Sequence, residues 1–233
     1  MKIDPRQRLI VALDVSTAAA ARKIVAAVGD SALAYKVGMQ LYTAEGPSMV
    51  RELVGSGLRV FLDLKYHDIP NTVGAAVREA AQLGASMLTV HASGGGKMLR
   101  AAVEAGHATK PDLLVLAVTV LTSLDDAELG KIGLRGGVLD QVLRLTALAL
   151  SNGCKGVVAS ALEAASLREE FGRDFAIVTP GVRLAGTGPH DQARVVTPAE
   201  AIAAGASYIV VGRPITEAAD PAAEARAILG QIG

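Results

Sequence analysis

The 233 residues carry 23 Lys plus Arg against 23 Asp plus Glu, so there is no net field to draw nucleic acid or an anionic membrane. Half of the chain, 51%, is apolar, yet no apolar stretch reaches the roughly 18 residues that a membrane-spanning helix needs. Cys154 is the only cysteine, which excludes an intrachain disulfide and a thiolate metal cluster and fits a reducing, cytoplasmic setting.

Along the chain, short β-branched and leucine-rich runs alternate with longer alanine-rich segments of helical period. The opening basic and apolar run is broken at Asp14 with no small-residue cleavage site after it, so it reads as a first strand over residues 9–14. A helix is expected near 17–28. The same pairing repeats with strand 33–37 and helix 43–54, strand 58–65 and helix 72–83, then strand 86–91 and helix 97–107. It continues with strand 113–119 and helix 138–152, strand 156–160 and helix 162–170, strand 175–179 and helix 198–204, and strand 208–212 and helix 221–229. Strands that alternate with crossover helices are parallel, and eight such units imply a closed barrel. An open doubly wound sheet would use fewer strands in this length, and no GxGxxG follows the first strand. The expectation is therefore an α/β chain in which residues 1–233 form a single-domain (β/α)8 TIM barrel. Gly94, Gly95 and Gly96 read as a tight strand-to-helix turn, and the glycine-containing loop 180–192 as a lid candidate.

Sites of such barrels are assembled at the carboxyl ends of the strands. Asp14, Lys36, Asp63, Lys65 and His91 stand at or near the ends of the first four strands, and Thr122, Ser123, Thr179, Pro180 and Arg213 follow later ones. In the run Phe61-Leu-Asp-Leu-Lys-Tyr-His-Asp-Ile-Pro-Asn-Thr72, side-chain alternation sends Asp63 and Lys65 to one face, into the barrel mouth, and Leu62 and Leu64 to the other. Asp68 lies beyond the strand and Pro70 stops it, so that acid is carried on a loop able to reach another chain. A salt-bridged structural plug is the competing reading, but buried charge arrays often stabilise less than apolar packing would, which favours function. Taken singly, Arg183, Gln192 and Thr122 read equally well as ordinary loop side chains. His91 and His67 read as packing and turn residues rather than catalysts.

The segment DLKYHDIPNT resembles the signature of the orotidine 5'-phosphate decarboxylase family. VALDV at the start, YKVG at Tyr35, TVHASGG at Thr89, VTVLTS at Val118, TPGVR at Thr179 and VGRPIT at Val211 extend that resemblance over nearly the whole chain. The DxKxxD element alone also occurs in related sugar-phosphate decarboxylases and aldolases.

The resemblance implies conversion of orotidine 5'-monophosphate (OMP) to UMP and carbon dioxide, the last step of pyrimidine nucleotide synthesis, with no metal and no organic cofactor. It implies Lys65 as the acid that protonates C6, Asp63 beside the substrate carboxylate, and Lys36 and Asp14 on the ribose hydroxyls, with Lys36 also ordering the charge array. Asp68 and Thr72 would enter the neighbouring subunit's site in a homodimer. Arg183, Gln192, Gly212 and Arg213 would hold the phosphate, with Pro180 at the start of the lid, and Thr122 and Ser123 would contact the pyrimidine. The family often has a basic pair just after the lid glutamine, whereas here Ala193 precedes Arg194. Two alternatives stand beside this reading. One is a metal-dependent sugar-phosphate decarboxylase or aldolase of the same barrel type; the other is a non-catalytic nucleotide-binding protein.

Overall fold

Eight parallel strands close on themselves in chain order, each hydrogen-bonded to the next and β8 back to β1. The computed structural model describes residues 4–183 and 196–233. Its strands are β1 (Leu9–Ala12), β2 (Ala34–Gly38), β3 (Arg59–Tyr66), β4 (Met87–His91), β5 (Leu114–Val118), β6 (Gly156–Val158), β7 (Ala176–Thr179) and β8 (Tyr208–Val211). The expected (β/α)8 barrel is present, and every expected strand is there with ends shifted by at most two residues. Asp14 consequently lies two residues past β1 rather than at its end, although the Leu13 N–H still donates to the Lys36 carbonyl at 3.0 Å.

The helices begin where the sequence supplies caps. Thr17 accepts from the Ala20 N–H, and Ser160 with Glu163 and Thr197 with Glu200 form reciprocal capping boxes. Proline stands in the first turn of the helices Pro70–Gln82, Pro198–Ala203 and Pro221–Ile232, where its missing N–H costs nothing. One expectation needs correction: the helix placed at 43–54 is two helices, Met39–Glu45 and Ser48–Gly55. Gly46, at φ +64°, ends the first in a conformation that disfavours other residues, and Pro47 removes the N–H that continuation would use. Three further helices of four to six residues, Pro5–Arg8, Asp126–Lys131 and Arg213–Thr216, were not expected; they are too short to show a helical period.

The strands bury both faces, which is why they read as continuous apolar runs. One set of side chains, including Leu9, Val11, Tyr35, Leu62 and Leu88, packs outward against the helices. The alternate set, including Ile10, Ala12, Ala34, Phe61, Met87, Leu116, Val178 and Tyr208, fills the barrel interior. Burying a side chain such as Phe61 or Leu62 contributes about 1.5–3 kcal/mol each, so this two-sided packing carries most of the fold's stability. At the amino end of the barrel the Arg8 guanidinium donates to the carbonyls of Ala206, Ser207 and Ile232, joining the start of the chain to its end. The opposite end is left to the loops. Among the described residues no helix is long and apolar enough to cross a membrane.

Candidate active site

At the carboxyl end of the barrel a cavity of about 680 Å³ opens between the loops, floored by side chains of the interior set, among them Ala12, Phe61, Val158 and Val210. Four charged groups rise from this floor along β1 to β3. The Lys36 ammonium donates to Asp14 Oδ1 at 2.7 Å and stands 3.8 Å from Asp63 Oδ2. The Lys65 ammonium donates to both oxygens of Asp63, at 2.9 and 3.0 Å. Charge therefore alternates, acid, base, acid, base, and sums to zero over the four groups. The exposed fraction of the side chains falls to 12–13% at Lys36 and Asp63, from 55% at Asp14 and 24% at Lys65. The two central charges are held out of water, where they need each other; the outer two face the cavity.

The alternation expected for Asp63 and Lys65 is present, with Phe61 on the same inner face and Leu62 and Leu64 on the outer side against the helices. It is obtained in an unusual way. Leu62 pairs with Leu88 and Tyr66 with Val90, so Asp63, Leu64 and Lys65 of β3 face the single residue Thr89 of β4. Lys65 is the only non-glycine described residue with positive φ, at +52°. Its N–H donates to Thr89 Oγ1 at 2.9 Å, and the same hydroxyl donates to Asp63 Oδ1 at 3.0 Å.

The other walls come from later loops. Thr122 and Ser123 line the cavity after β5, Pro180 and Arg183 after β7, and Gly212 and Arg213 after β8. Arg183 is only 6% exposed, so it belongs to the wall and not to a solvated loop surface. Gly181 takes φ +78°, the turn that lets the chain leave β7 across the mouth. An isolated parallel bridge between Val182 and Val196, with the Arg183 N–H donating to the Val196 carbonyl at 3.0 Å, fastens together the two ends of the late loop.

The family model described as orotidine 5'-phosphate decarboxylase / HUMPS matches residues 7–228. The chain belongs to this family. A protein named orotidine 5'-phosphate decarboxylase from Afipia carboxidovorans is 52% identical over 229 residues, covering 98% of this chain and 96% of the relative. One of the same name from Halorhodospira halophila is 52% identical over 232 residues, covering 100% of this chain and 98% of the relative. The crystal structure of orotidine 5'-phosphate decarboxylase from Lactobacillus acidophilus superposes with a TM-score of 0.88 at 40% identity, over 97% of this chain and 99% of that one.

Of the family-derived candidates, Asp14, Lys36, Asp63, Lys65, Thr122, Ser123, Pro180, Arg183, Gly212 and Arg213 thus surround one cavity. Asp68 and Thr72 do not line it: both are exposed, and the Asp68 carboxylate accepts the Ile69 N–H at 2.6 Å. Gln192, with most of the lid candidate, lies outside the described residues. The sequence reading missed Pro214, Thr216 and Glu217 in the wall. Pro214 and Thr216 stood inside the VGRPIT segment without being singled out, and Glu217 follows it in a turn of helix too short to detect.

His91 and His67 lie with ring centroids 5.4 Å apart. Burial holds His91 below its ordinary pKa of 6.5, with His67 and Lys65 adding to the effect, so the half-buried ring is neutral at pH 7. Among the described residues no three His, Cys, Asp or Glu side chains cluster as metal ligands.

Proposed function

We propose that this chain is an orotidine 5'-phosphate decarboxylase, converting OMP to UMP and carbon dioxide in pyrimidine nucleotide synthesis, with residues 1–233 acting as one catalytic barrel in the cytoplasm. The observation that carries the reading is the Lys65 ammonium fixed by both oxygens of Asp63 at the floor of a nucleotide-sized cavity.

In this reading Arg183, Gly212, Arg213 and Gln192 hold the phosphate, and Asp14 and Lys36 the ribose hydroxyls. Thr122, Ser123 and Pro180 confine the pyrimidine. Binding energy gathered at the phosphate and ribose orients the ring so that C6 faces Lys65. The bond from C6 to the carboxylate breaks, carbon dioxide leaves, and the electron pair stays on C6. No carbonyl is placed to delocalise that pair, so a fixed cation is its main stabiliser. At about 4 Å and an effective dielectric near 20, an ammonium lowers the energy of such a charge by about 4 kcal/mol. That corresponds to roughly a thousandfold in rate. Lys65 then gives its proton to C6 and is reprotonated from water. Asp63 aims the ammonium through its two hydrogen bonds, and in this reading it lies beside the departing carboxylate.

The site is completed by a second copy of the chain, with Asp68 and Thr72 crossing into the partner's cavity. This fits their exposure, their position outside their own chain's cavity, and the 65% exposure of the apolar neighbour Ile69. The metal-dependent sugar-phosphate alternative has less support. The carboxylates of Asp14 and Asp63 are each already paired with an ammonium, and that positive charge opposes entry of a divalent cation.

The test is the Lys65→Ala variant. The wild-type protein should form UMP from OMP, whereas Lys65→Ala should lose turnover and still bind UMP, because the lysine acts chiefly in the transition state. Wild-type turnover in Lys65→Ala would remove that residue from its role, and UMP binding by wild type without any decarboxylation would favour the non-catalytic reading.

A further inference from the structure

We propose that Thr89, which has no surface on the cavity, is the positioning residue that holds Lys65 and Asp63 in register for proton transfer. The inference rests on the reading of Lys65 as the acid and goes beyond it by identifying what sets the lysine's geometry.

Three observations converge on this one hydroxyl. In the ladder between β3 and β4, Thr89 alone faces the three residues from Asp63 to Lys65. Two residues of β3 are thus surplus to the pairing, a bulge of the kind that re-aims side chains beside active sites. Within the bulge, Lys65 adopts φ +52°, a conformation that is costly for a side-chain-bearing residue and persists only where its surroundings impose it. The Lys65 N–H, displaced from regular pairing, donates to Thr89 Oγ1 at 2.9 Å. The hydroxyl's single hydrogen goes to Asp63 Oδ1 at 3.0 Å, the oxygen that also receives the Lys65 ammonium at 2.9 Å.

One side chain therefore fixes the lysine twice, through its backbone and through the carboxylate that aims its ammonium. Thr89 is 0% exposed, so no water can take over either bond when the hydroxyl is removed. The residue does not line the cavity, so its part in the reaction would run through its two neighbours.

The experiment compares Thr89→Val, Thr89→Ser and Lys65→Ala with wild type, measuring kcat and KM for OMP, the UMP dissociation constant and the melting temperature. Valine keeps the shape and removes the hydroxyl; a displaced ammonium should lower kcat by about tenfold to a hundredfold. KM and UMP affinity should stay within about threefold, because no binding contact changes. Serine keeps the hydroxyl and should restore kcat to within about threefold of wild type. Should valine not fold, Thr89→Ala removes the same hydroxyl without pressing a methyl against Asp63, and the same loss is expected of it.

Wild-type kcat in a folded Thr89→Val or Thr89→Ala protein overturns the proposal. So does a serine variant as impaired as valine, which would make the methyl's packing the decisive feature. Retained turnover in Lys65→Ala would instead bring down the reading of Lys65 itself. An inactive Lys65→Ala beside a fully active Thr89→Val would refute the Thr89 role alone.

Discussion

Gly38→Ala should disable the charge array while leaving the barrel intact. Gly38 ends β2 with φ −93° and ψ −178°, extended backbone that alanine adopts freely. A Cβ built there would stand 2.9 Å from Lys36 Nζ and 3.1 Å from Asp14 Oδ1. Ordinary contact begins at 3.4 Å, so the ammonium must retreat by at least 0.5 Å, away from the very pair that anchors it. Because both contacts are tips of flexible side chains, the fold can yield. Replacing glycine at a compatible position stabilises by about 0.4–1 kcal/mol. Loosening an ion pair whose acid is 55% exposed costs about 0–1 kcal/mol. These nearly cancel, and the melting temperature should shift by no more than about 4 °C. Catalysis has no such compensation: an error approaching 1 Å in a positioned group can cost about a hundredfold. The expected result, from a continuous assay of OMP loss beside a thermal melt, is a fall of about tenfold to a hundredfold in kcat/KM at near-native stability. Wild-type kcat/KM in folded Gly38→Ala would show that the Lys36–Asp14 geometry does not matter to turnover.

Two further outcomes follow from the same geometry. Asp68→Ala and Lys65→Ala chains, each nearly inactive alone, should recover part of the activity when mixed, since one of the two sites in a heterodimer draws both intact groups from opposite chains; verified heterodimers with no recovery would count against a shared site. Burial lowers the pKa of His91 in the folded chain below its ordinary 6.5, so as pH falls through that value the unfolded chain takes up the proton first and stability declines until the folded pKa is reached. Urea titrations at pH 7.5 and 5.5 should therefore show a smaller acid-induced loss in His91→Asn than in wild type, and an equal or larger loss in the variant would contradict the sign.

Much of this site could be read before any coordinates. Alternation along a strand depends on one segment alone, so Asp63 and Lys65 declared their shared face, and the polar ends of β1 and β2 declared the rest of the array. The bulge was hidden because it is a relation between two strands: nothing within residues 61–66 reveals that three of them face Thr89. Thr89 itself looked like a β-branched strand residue, and only its two hydrogen bonds separate it from the apolar neighbours Leu88 and Val90. The break at Gly46 and Pro47 was not read from the sequence, because the apolar spacing of the stretch around them suggests one continuous helix. Glu217 became visible only when the short helix after β8 folded it against the cavity.

The central claim is cofactor-free decarboxylation of OMP, and the direct measurement is the fall in ultraviolet absorbance of OMP with purified protein in EDTA, the product identified as UMP. The account predicts full conversion at a rate that added divalent metal does not raise, with Lys65→Ala giving a flat trace. Folded protein that leaves OMP untouched in EDTA, and turns over OMP or a sugar phosphate only after a divalent ion is restored, would contradict it.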